Sequence, residues 1–436
     1  MHRTRWRPQF YLISLCVLAF AISMPFIYGS ISVIFVALAW IVSGDFPQKL
    51  RRLISFGAIV WILYYILHAI SYAYSTDKGE SAFDLQSKMS FVLLPLCIVA
   101  GDQLNGEKLE KIFLSYVLGI TASAIYCMGK AVFLYRHTHN VNYFFYHTLV
   151  KGLETNAVYI AWFAILSLFM LLFFNWSKFF KGKNAIWRWL LFALQMVFFI
   201  LLSSRLLIVL FFVLIIPAGY AVYFKVKKIS FFKMAVAVVT IVAIAISIFF
   251  TGNPINQRYK DIEKNNFSQL FKSDYTDKTL EFNNLTIRVF VWRVALQNIK
   301  EKDLWLTGCG NGSVHDIQNK KMKDLGLSAF QKPHPETALY NMNLHNMYLQ
   351  SLLMLGIPGL LCFLAIVIVP FFCFKKIENK TVFVLFQIVS ALFMLQEAAL
   401  QTQAGIIYFT FFSQIFWNLY YPTVKNRSKL ARINSM

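Results

Sequence analysis

The residues best equipped for chemistry in this chain are two arginines, a histidine and a glutamate set in otherwise apolar surroundings. His345 opens the run Leu344-His345-Asn346-Met347-Tyr348-Leu349-Gln350, which continues through Leu355-Gly356-Ile357-Pro358-Gly359 into a long apolar segment. Imidazole ordinarily changes its charge near neutrality, so one held where a polar segment enters a membrane is suited to moving a proton. The plainer reading of a His-Asn pair at such a place is an interfacial cap for the helix that follows. Arg205 stands in Leu201-Leu202-Ser203-Ser204-Arg205-Leu206-Leu207. An arginine flanked so closely by apolar residues is costly to bury, and is paired, snorkelling or functional. Arg288, in Thr286-Ile287-Arg288-Val289-Phe290-Val291-Trp292-Arg293, and Glu397 complete the set. Guanidinium stays charged and can grip phosphate oxygens in pairs, so two arginines and a histidine on one side of a membrane suit an anionic ligand. Read structurally instead, Arg288 is a solvated helix residue and Glu397 a counter-charge for an arginine. Arg293, and Arg258 in Gln257-Arg258-Tyr259-Lys260, are further cations able to reach a phosphate. Asp261-Ile262-Glu263 is the nearest approach to a metal pattern, and the six cysteines show no ligand or disulfide spacing. No metal and no cofactor is therefore expected.

The elements that must position these residues are membrane helices. Hydrophobic residues make up 58% of the 436, aromatics 17% and charged residues only 14%, against about 25% charged in soluble domains. That composition describes an all-α polytopic membrane protein. The 42 Lys+Arg exceed the 20 Asp+Glu by 22 charges, which in a soluble chain would raise nucleic-acid binding. Here the surplus is a topology signal, and no nucleic-acid partner is expected. Apolar runs lie near 10–28, 30–43, 53–74, 88–101, 112–134, 155–175, 186–202, 204–224, 233–251, 346–373, 381–400 and 403–420, giving about twelve transmembrane helices. The second and fourth are short, which fits tilted, broken or re-entrant spans. In a twelve-helix arrangement alternate loops and both termini carry 23 Lys+Arg, and the short loops opposite carry five: Lys78, Lys88, Arg136, Lys151 and Arg205. The basic side is read as cytoplasmic, with both termini on it. Residues 1–251 then hold helices one to nine, 252–344 form one large external loop, 345–420 hold helices ten to twelve, and 421–436 are a basic tail. The loop has 13 Lys+Arg and 10 Asp+Glu, nearly balanced, and reads as a small, mainly helical cap. Asp77, Glu80 and Asp84 fall in an outer segment with no residue singled out.

These residues resemble the O-antigen ligase superfamily, which includes lipopolysaccharide O-antigen ligases, protein O-oligosaccharyltransferases and related polysaccharide polymerases. His345-Asn346, nine residues, Gly356, two residues and Gly359 are similar to that family's spaced His and Gly pattern. Arg205 at a short outer turn resembles its first functional arginine, and Arg288 ahead of Trp292 its second. Asn256-Gln257-Arg258-Tyr259 resembles its approach to the large loop, and the resemblance rests on about 195–420. It implies a metal-independent, inverting membrane glycosyltransferase of the multi-spanning C type (GT-C-like), in the bacterial inner membrane with its site in the periplasm. The implied donor is an undecaprenyl-pyrophosphate-linked glycan, and the implied acceptor is lipid A–core. On this resemblance Arg205 and Arg288 bind pyrophosphate and His345 is catalytic, orienting or deprotonating the acceptor hydroxyl, the alternative being that it holds the pyrophosphate or acceptor; Asn346, Arg258, Arg293 and Glu397 are read from their positions as supporting residues. An O-antigen or exopolysaccharide polymerase and a protein O-oligosaccharyltransferase share that chemistry with other acceptors. A lipid-linked sugar transporter is the non-enzymatic alternative, and it would place its charges near the bilayer midplane. Gly356 and Gly359 read as allowing close helix packing.

Overall fold

A computed structural model describes residues 6–224, 270–271, 284–327, 340–373, 377 and 379–433, all helix, turn or loop, with no strand among them. The main helices are α1 (Trp6–Ala21), α2 (Phe26–Val42), α3 (Phe46–Leu53), α4 (Phe56–Tyr72), α5 (Lys78–Lys88), α6 (Ser90–Leu94), α7 (Gly106–Thr138), α8 (Tyr146–Val150), α9 (Ala157–Phe173), α10 (Ala185–Leu201), α11 (Arg205–Gly219), α12 (Asn284–Glu301), α13 (Val314–Asp324), α14 (Met347–Cys373), α15 (Lys380–Phe393) and α16 (Gln403–Ile433). Among the described residues five helices are long and apolar enough to cross a membrane. The number is seven if α3 with α4, bent by 73°, and α8 with α9, bent by 84°, each make one span. α1, α2 and α15 are shorter apolar helices, and the run at 233–251 lies outside the described residues. The described residues are thus all-helical, with several apolar helices as in a multi-pass membrane protein.

Short polar side chains set where several helices start. Asp77, Asn105 and Asn156 accept from the backbone N–H of Glu80, Lys108 and Val158, satisfying donors that the first turns of α5, α7 and α9 would otherwise leave open. The cap at Asp77 starts the fourth span about ten residues before its apolar run. Its helix runs Lys78–Val99 and finishes in a π turn at Pro95–Val99, where proline has no N–H to give the ladder. Lys88 therefore lies inside a span, fully buried, and not in an outer loop.

α9 is buried on nearly every side, as expected of an apolar helix at the centre of a bundle. Lipid is as apolar as leucine, so the bundle is held by dispersion and by hydrogen bonds between helices, each worth about 0.6 kcal/mol. Tyr116 Oη donates to Phe163 O (2.7 Å), Trp162 Nε1 to Ser390 Oγ (3.2 Å), Gln195 Nε2 to Val117 O (2.9 Å) and Gln387 Nε2 to Val367 O (2.7 Å).

Hydrogen bonds also define two ends. At one, Arg52 reaches Gly101 O, Asn418 binds Leu104 N and Asp102 O, Lys178 pairs with Glu107, Asn379 accepts from Asn175 N, and Arg188 meets the carbonyls of Leu171 and Leu172. Basic clusters at 49–52, 178–188 and 380 therefore share an end. α10 and α15 leave that end and carry the chain to Arg205 and Glu397 at the other.

α12 and α13 sit at this second end, joined by a loop that enters the bundle. Cys309 N and Gly310 N donate to Leu353 O and Met354 O, and Ile357 N donates to Trp305 O. These bonds use two carbonyls and one N–H that α14 frees by breaking at Gly356, where φ is +66° and ψ −164°. Such a conformation is essentially restricted to glycine. A Cβ there would stand 2.4 Å from Leu306 O, so Gly356 serves a helix break and a loop contact more than the helix packing its spacing suggested. Gly356→Ala is expected to lower stability by about 1–3 kcal/mol, read as a fall in the thermal unfolding midpoint in detergent. Gly129→Ala in α7, whose Cβ would meet nothing within 4 Å, is the control and should be neutral or slightly stabilising.

Candidate active site

Three elements meet around one carboxylate. Glu397, in the turn after α15, lies 2.5 Å through Oε1 from Arg288 on α12 and 3.1 Å through Oε2 from Nδ1 of His345, just ahead of α14. Its side chain is 8% exposed, whereas those of Arg288 and His345 are each 24% exposed, so the carboxylate is the buried hinge of a trio whose other members face outward. The turn is fixed by Glu397 N donating to Phe393 O (3.0 Å) and by Met347 N donating to Met394 O (2.8 Å), which ties the start of α14 to the end of α15.

His345 is held in a backbone conformation that L residues seldom adopt, with φ +45°. The strain is opposed by its neighbours. Leu344 is fully buried; its N–H donates to Gln350 Oε1 (3.1 Å) and its carbonyl accepts from Trp292 Nε1 (2.7 Å). His345 N donates to Asn343 Oδ1 (3.0 Å), and Asn346 Oδ1 caps α14 by accepting from Leu349 N (3.0 Å). Asn346 is thus a cap, as the plainer reading had it. Trp292 follows Arg288 by one helical turn, so α12 delivers the guanidinium and the clamp on the histidine loop together.

This arrangement sets a tautomer. A carboxylate oxygen accepts and cannot donate, so Nδ1 of His345 carries the shared proton and Nε2 is left as the basic nitrogen. The trio can thus orient an imidazole for accepting a proton while presenting a cation within reach of the same ligand. The guanidinium charge of Arg288 is already matched by Glu397.

Arg205 is the first residue of α11, partly exposed, at the same end of the bundle as Glu397. α11 packs on α9 and α15, whose ends there meet through the Tyr159 and Phe393 rings at 5.8 Å. Arg293 points elsewhere, donating to Leu270 O (2.6 Å) and lying over the Phe271 ring. Arg258 lies outside the described residues. Gln350 and Asn343 were not singled out from the sequence, since a Gln or Asn serving a backbone group leaves no pattern of spacing. Among the described residues no three His, Cys, Asp or Glu side chains are grouped so as to hold a metal ion.

Residues 190–364 match the family model described as O-antigen ligase. Over that segment the chain is similar to the O-antigen ligase family. The segment includes Arg205, Arg288 and His345 and ends before Glu397, which joins the site through geometry alone. An uncharacterized protein of Haemophilus influenzae is 26% identical over 190 residues, 41% of this chain and 44% of the relative. This O-antigen ligase-like chain therefore spans less than half the length of that curated relative.

Trp292→Phe keeps the ring and removes the donor, leaving the buried Leu344 carbonyl unpaired. A loss of about 1–3 kcal/mol is expected in thermal or denaturant unfolding, with faster backbone exchange around 343–346 by hydrogen–deuterium mass spectrometry. A second prediction concerns the docking of α13. His315 lies 2.8 Å from Glu80, and that hydrogen bond raises its pKa above the usual histidine value against the opposing effect of burial. A raised folded pKa means that this stabilisation is complete below about pH 6.5 and is lost as pH rises through the higher folded value. Exchange protection of α13 should accordingly fall as pH rises past neutrality, beyond the intrinsic rate change, and His315→Asn should abolish that dependence.

Proposed function

We propose that this protein is an inner-membrane glycosyltransferase that moves an undecaprenyl-pyrophosphate-linked glycan onto lipid A–core at the periplasmic face. The observation that carries the reading is Glu397 joining Arg288 to His345, beside the segment that matches the O-antigen ligase family. Basic loops gathered at the opposite end of the bundle support a cytoplasmic location for that end, and hence a periplasmic site.

In this reading Arg205 and Arg288 bind the donor's pyrophosphate. Arg288, whose charge is shared with Glu397, acts with Arg205 on about two negative charges of the pyrophosphate. Nε2 of His345 takes the proton of an acceptor hydroxyl as its oxygen attacks the anomeric carbon. The new glycosidic C–O bond forms on the face opposite the breaking C–O bond to phosphate, which inverts the anomeric centre. The electron pair of the broken bond leaves on undecaprenyl pyrophosphate, and the proton passes from His345 to solvent at this partly exposed site. Glu397 holds the imidazole in the required tautomer and stabilises the imidazolium formed midway, as a buried carboxylate does for a catalytic histidine elsewhere.

The test is a reconstituted assay with purified undecaprenyl-pyrophosphate-linked glycan and lipid A–core, with EDTA present. Wild-type protein should transfer the glycan. His345→Ala should lose about 10²–10⁴-fold, and Arg205→Ala and Arg288→Ala should lose activity while inserting normally. Transfer retained in any one variant removes that residue from the site. Lengthened undecaprenyl-linked chains as the sole product would make the protein a polymerase. No product of either kind would mean a different acceptor class or a different chemistry.

A further inference from the structure

A second polar centre lies inside the bundle, away from the trio. Lys88 and His68 are both fully buried. Lys88 Nζ pairs with Asp84 one turn earlier on α5, and Asp84 Oδ2 lies 3.8 Å from Nδ1 of His68 on α4. His68 Nδ1 donates to Asn311 Oδ1 (2.7 Å), whose Nδ2 donates back to the His68 carbonyl (3.1 Å) in the loop joining α12 to α13. Lys88 Nζ also donates to Gln401 Oε1 (3.4 Å), four residues past Glu397. Gln401 Nε2 and Gln350 Nε2 both approach Met354 Sδ, at 3.5 and 3.2 Å, just before the break in α14. Gln350 is the residue that clamps Leu344.

A buried ion pair is seldom worth more to stability than apolar side chains of the same shape. This one also leaves Asp84 Oδ2 and His68 Nε2 buried with no hydrogen-bond partner among the described residues. Charges kept at that cost inside a membrane bundle generally serve function. The partners here are selective: the Glu397 turn through Gln401, α14 through Met354, and the loop following the Arg288 helix through Asn311. The centre thus touches the Glu397 turn directly and, through Gln401 and Asn311, elements that adjoin His345 and Arg288.

We propose that Lys88, neutralised by Asp84, is a positioning residue for the transfer reaction. It holds the turn of Gln401 and Glu397 in the register that lets Glu397 orient His345. The inference rests on the glycosyl-transfer reading, and one of its two tests is independent of that reading.

The variants are Lys88→Met, Gln401→Leu, their combination, and Lys88→Met/Asp84→Leu, which leaves no charge buried. In the reconstituted assay Lys88→Met and Gln401→Leu should each lower kcat by about 10-fold or more with donor KM within about twofold, as expected when an interaction acts in the transition state. Their combination should be no slower than the slower single variant. Lys88→Met/Asp84→Leu should insert and melt like wild type yet remain slow. Recovery of wild-type kcat in that variant, or multiplying losses in the combination, would overturn the proposal. Independently of turnover, carbethoxylation of His345 by diethyl pyrocarbonate is followed by mass spectrometry, with exposed His139 as internal reference. Lys88→Met should shift the His345 rate in the same direction as Glu397→Gln; an unchanged rate overturns the positioning role. A wild-type protein that transfers no glycan overturns the functional reading instead, and the His345 labelling then decides the inference by itself.

Discussion

A single buried carboxylate shared between a guanidinium and an imidazole is the constraint on which the rest of this structure depends. Glu397 can meet Arg288 and His345 together only if α12, the start of α14 and the end of α15 converge to hydrogen-bond distance. A nearly buried carboxylate left alone would be expensive, so the two partners and the elements that carry them are held in place together. The conformation of His345 follows from the same demand. Its left-handed backbone aims the ring at Glu397, and the cost is met by Trp292, Gln350 and Asn343 bonding the peptide groups on either side.

That convergence needs anchoring in a medium where apolar contact alone gives helices little reason to associate. The anchors are polar and specific. Backbone groups of the loop at 305–310 pair with the opened turn of α14 at Gly356, and the end of α4 with the turn that joins it to α5 holds the following residues Asn311, Gly312 and Ser313 through the His68 carbonyl, Ser75 Oγ and the backbone of Thr76 and Asp77. A loop bound by backbone hydrogen bonds to a broken membrane helix cannot slide by a fraction of a turn, because every donor would lose its acceptor at once. The segment at 305–313 is therefore tied to the bundle through its backbone, close to the end of the helix that carries Arg288.

Much of this was legible in the sequence. Each apolar run within the described residues corresponds to a helix; His345 and Glu397 stood out because ionisable groups are rare beside such runs, and Arg288 because it lies in an apolar stretch of the polar segment between two of those runs. What could not be read was their mutual contact: residues 288, 345 and 397 lie on three elements, and no spacing rule links them. Lys88 illustrates a different limit. A lysine at the edge of an apolar run resembles a loop residue, yet Asp77 starts the helix earlier than hydropathy suggests, and Asp84 supplies the neutralising charge one turn away. Gly356 shows a third. Its spacing from Gly359 suggested packing between helices, whereas a left-handed break that admits a loop depends on a dihedral angle that sequence spacing does not encode.

The claim that Glu397 and His345 act as one unit is tested most directly by a double-mutant cycle on glycan transfer, using Glu397→Gln, His345→Gln and the pair. If the carboxylate works through the imidazole, removing it after the imidazole is gone costs nothing more. The double variant should then match His345→Gln within about twofold, giving a coupling energy of about 1–3 kcal/mol. Losses that simply multiply would contradict the account and return Glu397 to the role of a counter-charge for Arg288.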